Sequence, residues 1–411
     1  MEDRFVYADN AATTPIDPRV LEKMMPFLTT EYGNASTLYS LGHSSHDAME
    51  EARKEVALLM NADPGEIYFT GCGSESDNMA LRGWMHSKQN KGKKHLITTA
   101  IEHHAILHTA QALEKEGFEV TYLPVDEYGL VTAEQLEAAI RPDTTLVSVM
   151  AANNEIGTVQ PIAEIGKLCR EKGILFHTDA VQAVGNVPIN VKEENIDMLS
   201  LSGHKFHGPK GTGVLYIRRG VFPKNLIDGG AQERGKRAGT ENIAGICGLA
   251  AAMKDACDHI DENMPRVAAM RDKLIAGLSQ IPHSALNGDA VNRLPGNVNF
   301  CFEGIEGESL LLMLDALGIC ASSGSACTSG SLDPSHVLLS IGLKHGGKGD
   351  FFEGGKHEKS YFCGIAETRF PQSDAVLQHC NVSGFIADPV ERIDRKSRSA
   401  VRVSCTQLGH D

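Results

Sequence analysis

Between residues 60 and 220 the apolar positions alternate between two periods. Short apolar runs at 66–70, 95–99, 119–124, 145–150, 174–178, 197–202 and 213–217 have the length of buried strands. Between several of them, apolar residues recur at helical spacing, over 74–88, 103–116 and 162–171. Strand and helix in alternation predict helices covering a mostly parallel, seven-stranded sheet, an α/β architecture. A short strand within 1–15 and helices over 18–28 and about 45–60 precede this region. The pattern then changes. Helices are predicted over about 241–256 and 265–279, an alternating strand over 296–302, and an amphipathic helix over 308–317. The reading is a large domain over 16–258 and a smaller α+β domain built from 1–15 and 259–343. Residues 344–411 show no clear periodicity and form an atypical C-terminal segment.

Composition narrows the class. The chain has 411 residues, 42% apolar and 22% charged, with a net charge of −14. That acidic balance argues against nucleic acid or an anionic membrane as a main partner. No apolar run approaches the roughly 20 residues of a membrane span. Met1–Phe5 lacks the apolar core of a signal peptide. The ten cysteines are scattered without a CxxC pair, which suits a reducing, cytoplasmic setting.

Five stretches carry candidate chemistry. Between the runs at 198–201 and 214–217 lie Ser202, His204, Lys205, His207 and Lys210, among four glycines and a proline. A lysine at a strand end can bond covalently to a carbonyl cofactor; the alternative is a solvated turn. Asp179 closes the run at 174–178, where open α/β sheets bind ligands, and could hold a pyridine nitrogen protonated. Its other reading is a helix N-cap. Thr70-Gly-Cys-Gly-Ser-Glu-Ser-Asp-Asn follows a strand and opens a helix, a setting that favours an anion such as phosphate. It also fits a capped helix start, with Ser74 as cap and Asp77 three residues on. Residues 229–242 form a mobile-looking loop with three cations, or else a solvated basic loop. Finally, residues 321–331 are built from Ser, Gly, Ala and Thr around Cys327, a composition of a flexible exposed loop.

These motifs run in order from Tyr7-Ala-Asp-Asn-Ala-Ala-Thr-Thr-Pro to His336-Val-Leu-Leu-Ser-Ile-Gly-Leu, about the first five-sixths of the chain. Together they resemble the cysteine desulfurases of iron–sulfur cluster assembly, within the class V aminotransferase family of pyridoxal-phosphate enzymes. The resemblance implies the aspartate aminotransferase-like fold, fold type I of enzymes using pyridoxal 5'-phosphate. It implies Lys205 as the residue bonded to the cofactor and Asp179 at its ring nitrogen. His103 would stack on the ring and move protons. Gly73, Ser74, Ser202 and His204 would serve the cofactor, the first two at its phosphate. Asn154 would bond the phenolic oxygen and the substrate carboxylate, and Gln182 the phenolic oxygen. Thr240 would reach the partner's cofactor phosphate across a homodimer interface. Cys327 would become a persulfide as L-cysteine is converted to L-alanine, its sulfur then passing to an acceptor or iron–sulfur scaffold protein. The alternatives are a selenocysteine lyase or aminotransferase of the same fold, or a catalytically impaired cofactor-binding protein.

Past Leu343 the resemblance stops. The family reaches a Ser-x-Arg-x-Ser strand after a short turn, whereas here only Ala400-Val-Arg-Val-Ser is similar. Arg402 is thus the candidate anchor for the substrate carboxylate, or one of the basic residues of 392–402 facing water. Cys363, Cys380 and Cys405, with His345, His357 and His379, match no zinc spacing, and no metal is expected.

Overall fold

The computed structural model describes residues 5–305, 307–323 and 335–343, together with the backbone of 359–365. The twelve strands among them are β1 (Val6–Tyr7), β2 (Ile67–Thr70), β3 (His95–Thr99), β4 (Glu119–Leu123), β5 (Thr144–Ser148), β6 (Leu175–Asp179), β7 (Met198–Ser202), β8 (Gly213–Ile217), β9 (Ser284–Leu286), β10 (Asn297–Glu303), β11 (Ile319–Cys320) and β12 (Lys359–Ile365). Seven of them form one sheet in the order β2-β8-β7-β6-β5-β3-β4. Its adjacent pairs are parallel except at β8, which runs against both neighbours. The seven expected strands all form, each within a residue or two of its expected ends.

Burial explains the continuous apolar character of these strands. Every residue of β3, β5, β7 and β8 is buried, because helices cover both faces of the sheet. One face packs Val56, Phe176, Phe206 and Leu249 into a core. The other packs Leu81, Trp84, Leu96, Ile106 and Leu146 beneath helices Gly73–Met85 and His104–Lys115. Fully burying one such side chain stabilises the fold by about 1.5–3 kcal/mol.

Several helix ends depart from expectation. Helix Ser40–Leu59 starts five residues early, and Gly73–Met85 ends three early, where Lys88–Asn90 forms a separate 3-10 turn. Helix Ile260–Leu278 starts before Pro265 and accommodates it, held by the buried stripe of Met264, Val267, Met270 and Leu278. Helix Ala133–Ala139 was not anticipated; Thr132 and Gln135 form its capping box. Among the described residues no helix is long and apolar enough to cross a membrane.

Outside the large sheet, β10 lies between β9 and β12, antiparallel to both. Strand β12 comes from the segment without periodicity, yet pairs over seven residues from Asn297↔Ile365 to Glu303↔Lys359. Strand β1 pairs in parallel with β11, Val6 opposite Ile319 and Tyr7 opposite Cys320. Residues 400–404, with Arg402, lie outside the described residues.

Candidate active site

The site is built at the C-terminal edge of the parallel strands. Lys205 ends the 3-10 turn Gly203–Lys205 directly after β7 and is buried. Its Nζ donates to the carbonyl of Ala12 at 2.9 Å and also to that of Ala11. The segment around these alanines lies over the turn. Thr14 Oγ1 donates to His204 O at 3.0 Å and accepts from His207 N at 2.8 Å, while Thr13 Oγ1 sits 3.0 Å from His204 Nδ1. The solvated-turn reading therefore fails for Lys205. It holds for Lys210, which is exposed.

Strands β6 and β7 run in parallel with Asp179 opposite Ser200, so Asp179 and the Lys205 turn share one edge. Asp179 is buried, and its Oδ1 accepts from Val181 N at 2.9 Å. Burial pushes its carboxyl up; the Val181 amide and the Lys205 charge pull it back. Its second reading also survives in part, since the Val181 contact closes the turn that follows β6.

His103 caps helix His104–Lys115, and its Nδ1 accepts from Ala105 N at 3.1 Å. An acceptor role for Nδ1 places the neutral ring's proton on Nε2. Burial, followed by the Lys205 charge, holds His103 down to about 4. The same two causes hold His204 at about 4. Lys205 thus acts electrostatically on Asp179, His103 and His204 alike.

Helix Gly73–Met85 opens beside this edge. Its N-cap is Cys72, whose side chain makes no cap hydrogen bond, leaving the amides of the first turn to another acceptor. This corrects the capped-start reading: Ser74 lies inside the first turn and is exposed, and Asp77 is turned into the core. Gly73 is needed for close approach. A Cβ there would lie 2.7 Å from Val181 Cγ2 and 3.6 Å from Ser202 Cβ. Gly73 and Ser202, expected around one cofactor, are therefore neighbours.

The loop at 229–242 is docked rather than solvated. Glu233 is buried against Arg53 and accepts from Phe69 N at 2.9 Å. Arg234 stacks over Tyr68 at 4.5 Å, and Arg237 pairs with Glu75 at 2.8 Å, beside the open helix start. Thr240, further along, is exposed and lines a cleft with Tyr32, Ala35 and Ser45.

Gln182 Nε2 donates to Ala11 O at 3.0 Å, the carbonyl that also takes Lys205. Asn154 is half-buried in a turn held by Asn153, whose Oδ1 accepts from Glu155 N and Ile156 N at 2.9 Å each. Cys327, like Arg402, lies outside the described residues. The chain returns at Ser335, and His336 Nε2 donates to Glu102 O at 2.9 Å, one residue from His103.

Three buried groups at this edge escaped sequence reading. Glu102 accepts from Thr99 Oγ1 at 2.7 Å and Met150 N at 2.9 Å, and burial pushes it up to about 8. His177 lies inside β6, between Ser148 and Ser200. Asp77 was visible only as a helix-cap position. The one available signal was a charge or imidazole within an otherwise apolar strand pattern, as at His177.

A profile of the family described as "Aminotransferase class-V" matches residues 6–345. The chain belongs to the class V aminotransferase family. A relative named cysteine desulfurase IscS, from Clostridium botulinum strain Hall, is 59% identical over 343 residues, 83% of this chain and 86% of the relative. Another of the same name, from Methanosarcina thermophila, is 56% identical over 344 residues, 84% and 85% of the two chains. A solved "NIFS-LIKE PROTEIN" superposes with a TM-score of 0.83 at 36% identity, covering 93% of this chain and 100% of the other. A structure titled "SspA in complex with cysteine" gives 0.73 at 39% identity, covering 82% and 95%. The cofactor of this class V enzyme is pyridoxal 5'-phosphate. The residues fit it: a buried lysine, a buried carboxyl on the adjoining strand, and an uncapped helix start.

Proposed function

We infer that this class V enzyme is a cysteine desulfurase that converts L-cysteine to L-alanine and delivers the sulfur for iron–sulfur cluster assembly. The observation that carries this reading is the placement of buried Lys205 and Asp179 on adjacent strand ends beside the uncapped helix at Gly73. The names of the relatives at 59% and 56% identity, and a cysteine-bound neighbour, support the same reaction.

When bound, the cofactor supplies an aldehyde for covalent attachment and a ring that accepts electrons. The chain's own residues do the rest. Gly73 and Ser74 bind and orient the phosphate end, where backbone amides and the helix dipole favour the anion, and Ser202 and His204 hold the cofactor beside Lys205. Asp179 holds the ring nitrogen's proton. Lys205 and the Val181 amide favour its ionised form, as that task requires. His103 covers the ring; with its proton on Nε2 it is neutral at physiological pH. Asn154 and Gln182 orient the phenolic oxygen, and Asn154 the substrate carboxylate. Lys205, which would hold the cofactor covalently in the resting enzyme, would take the α-proton of the bound substrate.

The Cys327 thiolate attacks the sulfur of the substrate. A sulfur–sulfur bond forms as the carbon–sulfur bond breaks, the carbon takes a proton to become the alanine methyl, and Cys327 is left as a persulfide. An acceptor or scaffold protein then takes the sulfur. Lys205, Asp179 and His103 come from the proposed large domain, 16–258, while Ala11 to Thr14, which cover the Lys205 turn, come from the smaller one. Residues 1–15 with 259–343 form the smaller one, for which the β1–β11 pairing argues.

The active unit in this reading is a homodimer. Leu21, Met25, Leu28, Tyr32 and Leu38 are exposed apolar residues suited to a second copy, and Thr240, itself exposed, is the residue proposed to reach the partner's cofactor phosphate. Free cysteines at Cys72, Cys169, Cys247, Cys257, Cys301 and Cys320 suit a reducing cytoplasm.

The test is alanine and sulfide release from L-cysteine by the purified protein with pyridoxal phosphate and a thiol reductant. Stoichiometric alanine is expected; none, with cofactor bound, refutes the assignment.

A further inference from the structure

Three carboxyl groups are buried at one corner of the sheet: Asp179, Glu102 and Asp77. Lys205 answers the charge of Asp179. Asp77 has no such answer. It is 1% exposed, and its Oδ1 has no hydrogen-bond partner among the described residues. The remainder of its carboxyl is hydrogen-bonded by Ser200. The groups facing it are Asp179 and His177 from β6, Ser200 from β7, Glu102 after β3, and Cys72 at the helix start. None is a cation. His177 Nε2 is 3.7 Å from Asp77 Oδ1, too far for a hydrogen bond, and both its nitrogens are engaged, Nε2 with Ser200 Oγ at 3.0 Å and Nδ1 with Ser148 Oγ at 2.9 Å. Burial keeps that ring neutral, down to about 3. Asp77 also lies beyond the first helical turn, where the dipole's help for an anion has faded.

An ionised carboxylate in this place would be uncompensated and would face a second one, a pair that cannot both ionise without large cost. The hydroxyl chain accommodates the proton instead. With Asp77 protonated, Asp77 can donate to Ser200, Ser200 to His177 Nε2, and His177 Nδ1–H to Ser148, a run that the spacing of these groups allows. Burial, then Asp179, drive the Asp77 carboxyl well above the usual range, against the opposing pull of the Ser200 hydrogen bond.

We propose that Asp77 is a positioning residue for the cofactor: a second carboxyl behind Asp179 that carries a proton at neutral pH and so leaves Asp179 as the ionised partner of the ring nitrogen. This rests on the roles of Asp179 and Lys205 given above.

Two measurements on the full-length chain test it. The first needs no cofactor. A proton held by the folded chain and not the unfolded one makes the unfolding constant rise with pH, by up to about tenfold per unit. Asp77→Asn removes that proton. From pH 5 upward the variant's unfolding constant, divided by that of the wild type, should fall by about tenfold per unit while Asp77 stays protonated. A ratio independent of pH overturns the proposal. Should Asp77→Asn not fold, Asp77→Ser gives the same ratio.

The second is the affinity for pyridoxal phosphate, titrated by absorbance at pH 7. Asp77→Asn exchanges one neutral hydrogen-bonding group for another and should bind within about threefold of wild type. Asp77→Ala, which cannot bond Ser200, should bind at least about tenfold more weakly. Loss in Asn equal to that in Ala means Asp77 acts as an anion and overturns the proposal, as does no loss in Ala. Wild type that binds no pyridoxal phosphate refutes the function instead, and the pH ratio still decides the state of Asp77.

Discussion

Glu233 accepts from both terminal nitrogens of Arg53, at 2.8 and 2.9 Å, across 180 positions of sequence. Both side chains are almost wholly buried, at 2% and 3% exposure. The pair fixes the loop of Arg237 and Thr240 to the strand that leads into Gly73, so a loop that reads as basic and mobile is clamped by its one buried acid.

Removing one partner strands the other as a buried charge. Arg53→Met is expected to cost about 3–5 kcal/mol, read as a lower urea midpoint. Joint replacement of Arg53 by Met and Glu233 by Leu should recover much of that loss. If the single variant unfolds at the wild-type midpoint, the clamp contributes nothing.

Stability should fall on both sides of a maximum between about pH 4.5 and 6.5. His177 is held down to about 3 by burial, so between its ordinary 6.5 and 3 the unfolded chain binds a proton that the folded chain does not. Its contribution is complete above 6.5 and is lost as pH falls, by up to about 1.4 kcal/mol per unit. Glu102, pushed up to about 8, works in the opposite sense. It keeps its proton when folded, and its contribution is lost as pH rises from 4.5 towards 8. Denaturation across pH 4–9 should show His177→Asn flattening the acid limb and Glu102→Gln the alkaline one. Unchanged slopes in both variants would remove the buried network from the account.

Lys205 should be the residue bonded to the cofactor. Borohydride reduction followed by peptide mass spectrometry should place the stable adduct on Lys205. Lys205→Ala should bind the cofactor reversibly and give no adduct. An adduct elsewhere in the wild type contradicts the assignment.

The strands of the large sheet were legible because burial on both faces makes each a short apolar run, bounded by turns. The pairing of Asp179 with Lys205 was legible because each follows such a run. Helix starts were less so. Cys72, not Ser74, occupies the N-cap position of the helix at Gly73 and leaves it without a side-chain cap, since close packing on Val181 and Ser202 sets where that helix begins. Residues 359–365 form β12 by borrowing the edge of β10, a pairing that local periodicity does not encode. Asp77, Glu102 and His177 were illegible for a different reason. Their chemistry comes from being buried together, and their separation in sequence hides it.

Cys327 separates cofactor chemistry from sulfur acceptance, and so decides between this reaction and others on the same fold. In the proposed mechanism cofactor attachment rests on Lys205, and its orientation on Asp179 and His103, all within the described edge of the sheet. In that mechanism the thiol of Cys327 is needed only when sulfur leaves the substrate. Cys327→Ala should therefore keep the wild-type affinity for pyridoxal phosphate and the borohydride adduct on Lys205. It should lose alanine formation from L-cysteine by at least about a hundredfold, as expected when a nucleophile that acts in the bond-breaking step is removed. The persulfide, trapped on the wild-type protein with an alkylating reagent, should be absent from the variant. If the variant makes alanine at the wild-type rate, sulfur leaves without Cys327, and the enzyme is a lyase or an aminotransferase of the same fold.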